Sequence, residues 1–199
     1  MALPAELLRE LTREEVNELP IRRYEGEVRL VESAAELERA IAEWRDERVV
    51  GFDTETRPAF KPGESYLPAL AQIATAQRVY LLPLQRLDCK DALRTLLAQE
   101  HTAKAGVGMP DDMRALRKSF ELTEKSIVDL GAVARRHGLK QSGVRYLAAL
   151  LLGTRIPKGT KTSNWAAPRL APQQIAYAAT DAWICRELFL KFEELKLLK

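Results

Sequence analysis

Apolar residues recur along this chain with two periods. Some stretches alternate as strands do and others return every three or four residues as helices do. In residues 5–19, Leu7, Leu8, Leu11, Val16 and Leu19 share one helical face, and Pro20 closes that helix. EVRLV (27–31) reads as a strand. Ser33 then opens a helix to about Asp46, because S-A-A-E is a capping box. RVVGFDTET (48–56) is a core strand, followed by a Gly/Pro-rich loop over 57–68. ALAQIAT (69–75) and RVYLLP (78–83), joined by Ala76-Gln77, predict a hairpin. A helix over 91–99, a strand over 102–108 and a helix over 111–120 entered through Pro110 come next. Helices over 126–138 and 144–153, each ended by glycine, precede an irregular basic stretch over 154–172 and a long final helix from Pro172. Strands with interleaved helices, then helices alone, predict one central sheet covered by helices, an α/β or α+β domain.

Acids stand where that pattern expects apolar residues. VVGFDTET ends in Asp53 and Glu55, two apart and so on one side of the strand, with Thr54 turned away. Burying ionised carboxylates is costly unless a cation compensates, and a pair of them suits a hard divalent ion. In the helix after 110, Met113, Leu116 and Phe120 mark the buried face. Its phase turns Asp112 inward and leaves Asp111 near solvent as a first-turn acid, though a possible substitute. In the final helix Tyr177 and Asp181 are four apart, one turn above the other, with the small Ala178 and Ala179 between them.

Length and composition narrow the chemistry. A chain of 199 residues, 46% hydrophobic and 30% charged, suits one domain, or one domain with a small extension. No run approaches bilayer length, and the acid-bearing N-terminus lacks the apolar core of a secretory signal. Cys89 and Cys185 are too few for a disulfide framework, which predicts a reducing, cytoplasmic setting. With two histidines besides, structural zinc is not expected, so any metal should be held by oxygen. The net charge of +3 is uneven. From Leu130 to Thr180 there are eight Lys and Arg and no acid, which leaves the remainder at −5. That segment predicts a face for a polyanion, or else a solvated basic surface.

The ordered set VVGFDTET, LAQIAT, AGVGMPDDMRAL and SNWAAPRLAPQQIAYAATDA resembles the DEDD exonuclease superfamily in its tyrosine-bearing branch, DEDDy. It is similar to the ribonuclease D type and to the Werner-syndrome helicase exonuclease domain, over about residues 28 to 193. The resemblance implies an α/β, ribonuclease H-like fold with a central five-stranded mixed sheet flanked by helices. It divides the chain into an N-terminal helical arm (1–26) and a 3′–5′ exonuclease domain (27–199), without a helical helper domain or helicase. The implied reaction is hydrolysis at 3′ ends of single-stranded DNA or RNA, releasing nucleoside 5′-monophosphates with two divalent cations, Mg²⁺ or Mn²⁺. Asp53 would touch both metals. Glu55 and Asp181 would complete the nucleophile-side site, Asp112 would hold the second metal largely through water, and Tyr177 would orient the attacking water. Arg155, Lys158 and Lys161 would lie near incoming phosphates. Trp165 would stack on a base or sugar, or else pack its loop on the body, and Ser163 with Trp165 would support the site. The alternative is an inactive nucleic-acid-binding scaffold on the same fold; all four acids and the tyrosine are present, which favours the enzyme. A phosphatase of the DxD type is disfavoured, because DTET has Glu where that chemistry needs a second Asp.

Overall fold

A computed structural model describes residues 3–61, 63–159 and 163–198. One mixed sheet of six strands forms the middle layer: β1 (Glu27–Leu30), β2 (Val49–Thr56), β3 (Pro68–Ala74), β4 (Arg78–Pro83), β5 (Ala103–Gly106) and β6 (Ile127–Asp129), in the order β1-β4-β3-β2-β5-β6. The β3–β4 hairpin forms as the short polar turn predicts, and β2 pairs antiparallel to β3 and parallel to β5.

Alternation along β2 assigns its two faces. Val50 and Phe52 point to a cluster with α2 (Ala34–Trp44), α3 (Lys90–Ala98) and α4 (Met109–Arg117), centred on Trp44, Leu93, Leu96, Met113 and Leu116. The other face carries Val49, Gly51, Asp53 and Glu55. It is covered by α7 (Pro172–Glu194), with α5 (Leu130–Arg136) and α6 (Val144–Leu152) beside it. α7 is anchored by buried Leu188, Phe189 and Phe192. Where it crosses β3 and β4, Ala178, Ala179 and Ala182 lie on Leu70, Ala74, Val79 and Leu81.

Two expectations are corrected. The sheet has six strands, not five, because the stretch taken as one helix over 126–138 begins as β6, paired with β5 from Lys104↔Ile127 to Gly106↔Asp129. Three residues are too few to show alternation, and Ile127, Leu130 and Val133 also satisfy helical spacing. The helix starts only after Asp129, whose Oδ1 accepts from the Gly131 and Ala132 amides. The expected N-terminal helix over 5–19 is broken into a 3-10 turn (Ala5–Leu7) and α1 (Arg13–Glu18). Thr12 restarts the helix through a capping box with Glu15.

The N-terminal segment is fastened to the body by its backbone. Gln141 clasps Leu11, accepting from its amide at 2.8 Å and donating to its carbonyl at 2.9 Å. The Pro20 carbonyl accepts from the Arg155 amide and the Thr154 hydroxyl, and Arg155 accepts from the Arg22 amide. The Tyr24 amide donates to the hydroxyl of Thr180, the residue before Asp181.

Candidate active site

The site forms where α7 touches β2 most closely. At Gly51 a Cβ would lie 1.9 Å from the Ala182 carbonyl oxygen and 2.9 Å from the Arg186 amide nitrogen, so the helix rests directly on the strand backbone. Only glycine permits that approach. Two residues along the strand, Asp53 meets Asp181. One oxygen each of Asp53, Glu55 and Asp181 lies within 4.8 Å of the others.

Asp112 arrives from the opposite face of the sheet. At Gly106 a Cβ would lie 2.6 Å from the Phe52 carbonyl oxygen and 2.3 Å from the Met109 sulfur, and Gly108 turns with φ +84° into α4. Thr54, pointing away from Asp53 and Glu55, donates its hydroxyl to Asp112 Oδ1 at 2.5 Å. The residue that alternation turns away from the acid pair is therefore the one that holds the fourth acid. Asp111 is exposed and paired to Arg114 at 2.6 Å, so Asp112 is the inward acid.

Tyr177 stands one turn before Asp181 on α7, close enough that its hydroxyl lowers the proton affinity of that carboxylate. Its ring lies between Trp165, at a centroid distance of 6.1 Å, and Gly159, where a Cβ would fall 2.4 Å from the phenolic oxygen. Trp165 is 5% exposed. Its ring packs against Tyr177 and the cluster under α7. Ser163, Lys158, Trp165 and Tyr177 line a cavity of about 580 Å³. The Arg155 Nε donates to the Leu19 carbonyl. Lys161 lies outside the described residues.

No Lys, Arg or His forms an ion pair with Asp53, Glu55, Asp112 or Asp181 among the described residues. Their protons are held accordingly. Burial, then Asp112, Asp181 and Glu55, pushes Asp53 well above the carboxylate range. Burial with Asp181 and Asp112 raises Glu55 to about 8. Burial raises Asp112 to about 6 against the Thr54 hydrogen bond, and Asp181 to about 6 against the nearby Tyr177 hydroxyl. Tyr177 is itself raised, by burial and then by Asp181. Clustered oxygen donors with no ion-paired cation among the described residues suit a hard divalent cation, which would replace the protons as counterion. Asp53, Glu55 and Asp181 would hold one, with Asp112 beside them.

A stability prediction follows from these values. Unfolded carboxylates release protons near about pH 4. The site's carboxyls bind more protons folded than unfolded up to about pH 8, where Glu55 ionises. Stability of the metal-free protein therefore falls as pH rises through that window. Melting in EDTA should occur at lower temperature near pH 8.5 than near pH 5, and Mg²⁺ should narrow the gap. An equal or higher melting temperature at the alkaline end would contradict the carboxylate crowding.

Three contributors carry little sequence signal. Gly51 looks like a weak position in a strand, and Thr54 like an ordinary strand threonine. Gln72 lies opposite Asp53 in register and is fully buried, its amide nitrogen and oxygen without hydrogen-bond partners among the described residues. A glutamine inside the apolar run ALAQIAT was the available sign.

Such an arrangement defines an acid-lined, cation-accepting site at the strand end of a mixed α/β sheet. The chain belongs to the 3′-5′ exonuclease domain family, which matches residues 28–196. It is 34% identical over 145 residues to the mouse bifunctional 3′-5′ exonuclease/ATP-dependent helicase WRN, covering 69% of this chain and 10% of that protein. An Arabidopsis thaliana 3′-5′ exonuclease is 26% identical over 93% of this chain and 70% of its own length. Among solved structures, the Aedes aegypti Nibbler EXO domain superposes with TM-score 0.78 at 22% identity, over 87% of this chain and 91% of that one. Escherichia coli RNase D superposes with TM-score 0.75 at 18% identity, over 86% and 47%. The fold is ribonuclease H-like, as the motif resemblance implies. The chain spans less than a fifth of the length of the first curated relatives it matches.

Proposed function

We propose that the chain is a metal-dependent 3′→5′ exonuclease of the tyrosine-bearing branch, its catalytic unit spanning 27–199. It removes nucleoside 5′-monophosphates from the 3′ end of single-stranded DNA or RNA. The observation that carries this reading is the crowded carboxylate cluster of Asp53, Glu55 and Asp181, with no ion-paired cation among the described residues and with Tyr177 at its edge. Two buried free cysteines are consistent with the cytoplasm as its setting.

Water is a weak nucleophile at neutral pH, and a phosphodiester repels it. Two divalent cations, Mg²⁺ or Mn²⁺, would supply a lowered pKa for the attacking water and charge neutralisation at the leaving 3′-oxygen. The chain's residues do the positioning. Asp53 is crowded by Asp112, Asp181 and Glu55, so it would be the carboxylate that serves both cations. Thr54 fixes the carboxylate of Asp112. Glu55 accepts a hydrogen bond from the attacking water, and Tyr177 turns its hydroxyl from Asp181 toward that water. Trp165 and Gly159 hold the tyrosine ring in place.

Tyr177→Phe keeps the ring and removes the hydroxyl. Turnover should fall by about 10²-fold with KM little changed, since an oriented proton acceptor or donor contributes on that scale. A loss confined to KM would make Tyr177 a strand-binding residue instead. The function itself is tested with 5′-labelled single-stranded DNA and RNA of one sequence in Mg²⁺ or Mn²⁺. A ladder shortening from the 3′ end, abolished by EDTA, is the expected result. Binding of both strands without cleavage would assign the chain to the inactive scaffold class.

A further inference from the structure

The cavity beside Tyr177 does not end at the site. Lys158, exposed on its wall, also lines a second cavity of about 470 Å³ between α1 and the first turn of α6. Arg13, Asn17, Arg145 and Tyr146 complete the polar part of its lining, and no acid does. Arg23 lines the first cavity. None of Arg13, Arg23, Arg145 or Lys158 has an ion pair among the described residues, although the chain elsewhere pairs many of its cations. The Nε of Arg145 is buried without a hydrogen-bond partner. Gly143, the N-cap of α6, has no side chain, so no side-chain hydrogen bond caps that first turn. Its amides and helix dipole add to the positive potential of the cleft. The wall made by α1 is held in place by the Leu11–Gln141 and Pro20–Arg155 bonds. It also lies outside residues 28–196, which match the family.

We propose that this cleft is a second binding site for the substrate strand, taking the sugar-phosphate backbone of nucleotides upstream of the 3′ end being cut. The inference rests on the exonuclease reading above. Unpaired cations on a cleft that shares Lys158 with the cavity beside Tyr177 suit successive phosphates of one strand, and α1 supplies one wall of the cleft. Recognition here is by charge, so it acts on long strands and not on the terminal nucleotides.

The test separates length from chemistry. Single-stranded DNA of two and of twelve nucleotides is digested by the wild type, Arg13→Gln, Arg145→Gln, Arg13→Gln/Arg145→Gln and Asn17→Glu chains. Binding of a fluorescent twelve-mer is read by anisotropy, each substitution being placed in an uncleaving Asp53→Asn chain. The double variant should bind the twelve-mer roughly tenfold more weakly, with its log–log salt slope reduced by about 1.4, which is ~0.7 per lost phosphate contact on a single strand. Its cleavage of the dinucleotide should match wild type. Asn17→Glu, an exposed change with little bearing on folding, should weaken twelve-mer binding in the same sense, while Arg136→Gln outside the cleft should not. Unchanged twelve-mer binding, or equal loss on both substrates, overturns the proposal. So does competition by polyglutamate as strong as that by unlabelled strand of equal charge, which would assign the cleft to acidic polypeptides. Failure of the wild type to cut either length would defeat the exonuclease reading, whereas the anisotropy arm reads the cleft independently of cleavage.

Discussion

Asp53→Asn should lower strand hydrolysis by at least about 10³-fold, on the order of 4 kcal/mol of transition-state stabilisation. In EDTA near pH 8 it should also raise the melting temperature. Both effects come from one position. Asp53 is crowded by Asp112, Asp181 and Glu55, and burial together with these acids raises its pKa. An amide keeps the shape and removes the charge, so the metal-free fold loses a repulsive member of the cluster. A gain of about 1 kcal/mol corresponds to roughly 2–4 °C for a chain of this size. On the proposed function, the same change also removes the carboxylate that both cations would share. The rise in melting temperature that Mn²⁺ gives the wild type should therefore be largely lost. Calorimetric melts with and without Mn²⁺, beside a cleavage assay, check both halves. If the variant melts lower than wild type in EDTA, Asp53 is a structural hydrogen-bonding residue and the crowding account is wrong.

Gly51→Val should be the most damaging change to the fold, at a cost of about 3 kcal/mol or more. Strand propensity alone points the other way, because valine suits a pleated core strand and glycine weakens it. Contact decides the sign. A Cβ would stand 1.9 Å from the Ala182 carbonyl oxygen, and the atom it meets is helix backbone, not a side chain that can swing aside. α7 cannot simply retreat, because Leu188, Phe189 and Phe192 anchor it further along. The expected result is a melting temperature lower by roughly 6–12 °C. Any residual folded protein should have lost cleavage, since Asp181 moves with the helix. Gly51→Ala should show the same losses in smaller measure. Wild-type stability and activity in Gly51→Ala would mean that close approach of α7 does not build the site.

How far the sequence was legible depends on the range of the interaction. The D-x-E pair could be read because side-chain alternation is local, and the inward turn of Asp112 because helical phase is local. Tyr177 and Asp181 were visible for the same reason, being one turn apart. Contacts between distant segments left no such mark. Gly51 has its meaning only against Ala182, and Thr54 only against Asp112. Arg155 reads as a strand-binding cation in a basic run, and nothing in the sequence signals that its Nε donates to the backbone carbonyl of Leu19. β6 escaped because three residues have no measurable period, and its pairing with β5 is supplied from elsewhere in the chain. The break in the N-terminal helix was local and could have been seen: T-R-E-E at 12–15 is a capping box in the middle of an apparently continuous amphipathic pattern.

The central claim is that this cluster of acids cuts a nucleic-acid strand from its 3′ end with the help of divalent cations. The most direct measurement follows a single strand labelled at its 3′-terminal nucleotide during the first turnovers in Mg²⁺ or Mn²⁺. The account predicts that the first labelled product is the terminal nucleoside 5′-monophosphate, and that none appears in EDTA or with Asp53→Asn. Labelled oligonucleotide fragments appearing first, or release that persists in EDTA, would contradict it.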